Sequence, residues 1–174
     1  WRLHNGTIWR WNRPCYGIIG GIPGLRIEAR YLPAGPSVVD EMANTAFFLG
    51  LMTELPEEFG DITKYMSFDD AKNNFFNVAR YGLNGQIRGL DGKSRRVGKL
   101  ILEELLPRAN KGLIRAGIDE ADIERLLDVI EARVKSEKTA AGWMLNSLAA
   151  MDKRAKPNVK LRSLTAAMKA HQES

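Results

Sequence analysis

The chain has 174 residues, 44% of them hydrophobic and 27% charged, an ordinary globular composition long enough for a real core. No run approaches the roughly 18 apolar residues of a membrane span, and a single cysteine excludes an internal disulfide framework and points to a reducing, cytoplasmic setting. The net charge of +5 suits a nucleic-acid binder in magnitude but not in distribution: residues 1–30 carry five arginines, one acid and no lysine, residues 40–70 are acidic, and the tail after Lys153 is basic. Arginine without lysine suits fixed, bidentate recognition of carboxylate or phosphate.

The chain opens on Trp1 and enters a strand-like segment at once, so it reads as part of a longer polypeptide. Thr7, Ile8, Trp9 and Trp11 predict a strand that Pro14 stops, and residues 15–24, CYGIIGGIPG, predict a glycine-rich loop. Residues 25–32 predict a second strand, with Leu25, Ile27, Ala29 and Tyr31 on one face and Arg26, Glu28, Arg30 and Leu32 on the other. Paired as a hairpin across the loop, the two strands put Arg10 and Asn12 on the face of Arg26, Glu28 and Arg30.

Everything after Ser37 reads as helix. Ser37 caps the first, whose Val38, Met42, Ala46, Leu49 and Met52 are candidate core and which ends near Pro56. Ser67 caps the second, with Phe68, Phe75, Phe76 and Val78 as core and Gly82 as its end. A third covers residues 94–117, bent or broken at Pro107. A fourth covers residues 120–136, where Ile123, Leu126, Leu127, Ile130 and Val134 keep helical spacing. A fifth covers residues 139–153 with Trp143 in the core, and Pro157 sets off a last amphipathic piece holding Leu161, Leu164 and Met168.

The glycine loop has neither the phosphate-loop nor the dinucleotide pattern, and no metal-ligand spacing is visible. Cys15 reads as a packed thiol with no base beside it, His4 as a weak site candidate, and His171 as inert in a frayed tail. The basic stretch 91–99, DGKSRRVGK, reads as a solvated loop before a helix. The strongest feature is Glu28 between Arg26 and Arg30. An exposed strand with surface ion pairs is the plain account. The chemical account is phosphoryl transfer, in which a carboxylate holds a divalent ion and arginines neutralise the transferring group.

HNGTIWRWNRPCYG and LRIEARYLPAGPSVVDEMANTAFFLGLM together resemble the later catalytic segment of the type 2 glutamate–cysteine ligases and related carboxylate–amine ligases of the glutamine synthetase superfamily. The likeness rests on Trp11-Asn12-Arg13, then Arg26-Ile27-Glu28-Ala29-Arg30, then Asn44 in the following helix. NNFFNVARYGLNG, LLPRANKGL and TAAGWMLNSLA resemble the helical C-terminal part of such ligases. The resemblance implies an α+β, predominantly α fold: residues 1–36 supply short antiparallel strands of an incomplete catalytic sheet, and residues 37–174 a helical C-terminal region. It implies ATP and Mg²⁺ or Mn²⁺ as cofactors and glutamate with cysteine or another amine as substrates, joined through an acyl phosphate. It makes Glu28 a metal ligand and Arg30 and Arg13 catalytic. Arg10, Arg13 and Arg30 contact ATP phosphates, Asn12 and Arg10 the substrate, and Arg26 only shapes the strand. Such ligases build their metal sites from several carboxylates, whereas residues 1–27 hold none. Upstream parts of the same polypeptide are therefore expected to complete the site, and the piece alone to be inactive. Homo-oligomerisation is left open. The rival account is a non-catalytic helical module that binds a partner or regulates a ligase. A nucleic-acid binder ranks below both, because no helix-turn-helix or RNA-binding signature is present.

Overall fold

The computed structural model describes residues 12–29, 32 and 35–172, with backbone alone at 12 and 13. It is predominantly helical, with two small antiparallel sheets. Two compact units divide it, Trp1–Ala34 and Gly35–Ser174.

In the first unit, β1 (Asn12–Ile19) and β2 (Ile22–Ala29) form a hairpin. The expected long loop is instead mostly strand, and the turn is only Gly20–Gly21. Both glycines adopt positive φ, 57° and 82°, as the two-residue turn that matches strand twist demands. Pro14 does not stop β1. Counting from the turn-closing Ile19–Ile22 pair, Pro14 and Pro23 both fall at non-hydrogen-bonded positions, where a missing N–H costs the ladder nothing.

The second unit is built on α1 (Val38–Phe59), α4 (Leu106–Arg115) and α5 (Glu120–Ser136). The Ser37 hydroxyl accepts from the Asp40 N–H at the start of α1. The helix runs through Pro56 and ends at Gly60, whose N–H reaches the Pro56 carbonyl at 2.8 Å. α5 has the expected bounds, capped by Asp119, and buries Ile123, Leu126, Leu127, Ile130 and Val134. With Ala43, Ala46, Leu106, Ala109 and Leu113 they make the core.

The buried face of α1 differs from the expected one. Ala43, Ala46, Gly50 and Glu54 point inward, whereas Val38, Met42, Leu49 and Met52 are exposed. The reason is close approach: a Cβ on Gly50 would strike the backbone of Ala109, and one on Gly112 the backbone of Gly50. Only small residues fit such a crossing, so the larger apolar ones fall on other faces of the helix.

α2 (Phe68–Tyr81) also departs from expectation, for it buries no residue and Phe68 is 82% exposed. It is held through polar groups. Asn74 donates to the Arg88 carbonyl and accepts from the Arg88 N–H, each at 2.8 Å, and Asn77 donates to the Gln86 carbonyl at 3.3 Å. Those partners lie on β3 (Gln86–Arg88), which pairs antiparallel with β4 (Ser94–Arg96), a second hairpin within the region expected to be all helix. The helix expected from residue 94 therefore starts at α3 (Val97–Leu100) and passes through a π-helical turn, Ile101–Leu105, into α4. The Leu106 N–H reaches the Ile101 carbonyl five residues back. The wider turn lies just before Pro107, which has no N–H to offer an α-helical bond. α6 (Ala140–Ala150) and α7 (Pro157–Gln172) pack on one another, and Pro157 opens α7 as its first residue.

Candidate functional site

Cross-strand register decides what shares a face with Glu28. Arg13 pairs with Glu28, Cys15 with Arg26 and Gly17 with Gly24, and these three pairs lie on one face of the β1–β2 ladder. The Cys15 thiol donates to the Glu28 carboxylate at 3.7 Å, a diagonal contact that only same-face positions allow. The Arg26 guanidinium folds over Gly17, where a Cβ would strike it. One hairpin face thus gathers a half-buried carboxylate, a thiol, a guanidinium and the Arg13 position.

The opposite face carries Pro14, Tyr16 and Ile18 against Ile27, Leu25 and Pro23. The Asn12 position pairs with Ala29 on that apolar face. The expected grouping of Asn12 with Glu28 is therefore corrected. The cause is the two-glycine turn, which moves β1 along the chain and sets the register. Ile-Ile-Gly-Gly-Ile-Pro was the local signal for that turn. Arg10 and Arg30, expected at the site, lie outside the described residues, as do Trp9, Trp11 and His4.

Chemically, the face offers one carboxylate for a hard cation and arginine for phosphate or carboxylate. A magnesium ion takes about six oxygen ligands, some of them water, and Glu28 alone supplies one or two. Among the described residues, no three His, Cys, Asp or Glu side chains gather as a metal site. One carboxylate with arginine beside it is compatible with a share of a metal–phosphate site, not with a whole one.

In the helical unit, the basic stretch 91–99 is largely exposed, as a solvated stretch would be, but Ser94–Arg96 is strand and its arginines make ion pairs. Arg95 pairs with Asp91 and Glu104, and Arg96 pairs with Glu137 at 2.7 Å and also bonds Asn84. His171, expected to be inert in a frayed tail, lies in α7 with its ring edge-on to Trp143, centroids 5.5 Å apart. Trp143 is half-buried rather than core. The two rings border a cavity of about 460 Å³ at the α6–α7 seam, a feature that linear spacing did not reveal.

No protein-family model, curated protein or solved structure matches the chain. No helix among the described residues is long and apolar enough to cross a membrane.

Proposed function

We propose that this chain is the C-terminal portion of an ATP-dependent carboxylate–amine ligase that joins glutamate to cysteine or a similar amine. The observation that carries the reading is the clustering of Glu28, Arg26 and the Arg13 position on one face of a hairpin whose sequence resembles that ligase segment. The glutamate γ-carboxylate oxygen attacks the terminal phosphorus of ATP, and ADP leaves. The amine nitrogen then attacks the acyl carbon, phosphate departs, and the nitrogen loses a proton. Glu28 would help hold Mg²⁺ or Mn²⁺, which would supply charge neutralisation to the transferring phosphate. Arg30 offsets charge on the transferring group, and Arg10 and Arg13 orient phosphate or substrate carboxylate. The Asn12 position falls on the other face of the ladder, and Arg26, on the Glu28 face, shapes the strand. The remaining metal ligands belong to the rest of the polypeptide.

The test is ADP release by the intact gene product with Mg-ATP and glutamate, with and without cysteine, beside the 174-residue chain. Release that requires glutamate and rises with cysteine, from the long form only, is the expected result. Glu28→Gln and Arg30→Ala should each lower turnover by about 10²-fold or more with the fold intact. Near-normal turnover in both variants would remove this strand from the mechanism. No turnover from the long form with any amino-acid pair would sink the ligase. The helical unit would then stand as a binding or regulatory module, the account that its cavity favours.

A further inference from the structure

The cavity between α6 and α7 serves no part of the ligase chemistry, and its walls have a definite character. Trp143 and Met144 come from α6, Met168 and His171 from α7, and Lys138 lines the cavity from just before α6. Its volume, about 460 Å³, is that of a small-molecule site. An indole offers a flat face for stacking, and two thioethers adapt to the outline of an apolar guest. The charge is one-sided. Among the described lining residues, Lys138 is the one side chain that is always cationic near neutral pH and none is a carboxylate, and the Lys138 ammonium has no ion pair among the described residues. An aromatic wall alone would also receive a cation, but an ammonium lining the same cavity repels one.

We propose that this cavity binds a small aromatic or branched-aliphatic carboxylate, its apolar body between Trp143 and Met168 and its anionic end at Lys138. The proposal is independent of the ligase reading, because it uses no residue of the hairpin.

Calorimetric titration of the chain with naphthalene-2-carboxylate and with its neutral twin, naphthalene-2-carboxamide, tests it. The carboxylate should bind about tenfold more tightly than the amide at low salt. Lys138→Gln, at an exposed position, should erase that preference and leave amide binding unchanged. Met168→Glu, at a position 43% exposed, should weaken the carboxylate more than the amide by placing a like charge in the cavity. Equal binding of the twins to the unaltered chain, binding of neither, or a preference that survives Lys138→Gln would each overturn the proposal.

Discussion

Arg133 ties α5 to the first turn of α1. Its guanidinium donates to the Asp40 carboxylate and to the Asn44 side-chain oxygen, both at 2.7 Å, with Arg133 and Asp40 largely covered. Burial alone would raise the pKa of Asp40. The Ser37 hydroxyl, the Arg133 hydrogen bond and the Arg133 charge outweigh it and hold the group below its ordinary 3.8. A depressed carboxylate contributes stability that is complete above the unfolded value and lost as pH falls through the lowered one. Arg133→Met should therefore cost about 1–3 kcal/mol at neutral pH, since it leaves two acceptors without their donor. The gap in urea midpoint between the variant and the original chain should narrow well below pH 4, where Asp40 loses its charge in both. An equal gap at pH 7 and pH 3 would show that the Arg133–Asp40 charge pair contributes nothing. Ser37 and the helix start that it shares with Asp40 lie close in sequence, and the Ser37 cap was legible there. Their partner on α5 was not, because a contact across 93 residues leaves no trace in local spacing.

At the level of elements, legibility tracked how much of each segment's stability is its own. α5 matched because an aspartate cap and an unbroken apolar stripe both act locally. β3 and β4 were missed because each has three residues, and α2 anchors β3 through Asn74 and Asn77. The α1–α4 crossing was misread for the opposite reason. Its determinants are Gly50, Ala109 and Gly112, which carry almost no hydrophobic signal, while Met42 and Leu49 drew attention to an exposed face. The crossing makes a prediction whose sign separates two effects. In an open helix, Gly50→Ala should stabilise by about 1 kcal/mol through helix propensity. Here the new methyl meets the Ala109 backbone, which cannot swing aside as a side chain does. Gly50→Ala should thus destabilise by about 2 kcal/mol or more and lower the thermal midpoint. A raised midpoint would mean that the α1–α4 crossing leaves room for a methyl group at Gly50.

For the molecule as a whole, the two units differ in how they are stabilised. The α1–α4–α5 core buries ten apolar residues in one cluster. The β1–β2 hairpin leaves its apolar face open, with Leu25 81% exposed and Tyr16, Ile18 and Ile27 more than 60% exposed. Two strands alone are marginal in water, whereas a third strand or a packed layer would make them stable. The Glu28–arginine pattern on the other face was legible because strand alternation is a local signal. The exposure of Leu25 and Ile27 was not, because burial depends on partners that a strand's own residues do not name. Amide exchange in the 174-residue chain should separate the units. Amides of α5 from Ile123 to Val134 should exchange only through opening of the whole core. The inward-bonded amides of Cys15 and Arg26 should exchange at least about a thousandfold faster, through opening of the hairpin alone. Protection at Cys15 and Arg26 equal to that of α5 would contradict this. If that protection persisted on dilution, the chain itself would be covering the hairpin. If it fell on dilution, a second copy would be. Slow exchange confined to α5 would mean that the Glu28 face holds its geometry only when something else packs against Tyr16, Ile18, Leu25 and Ile27.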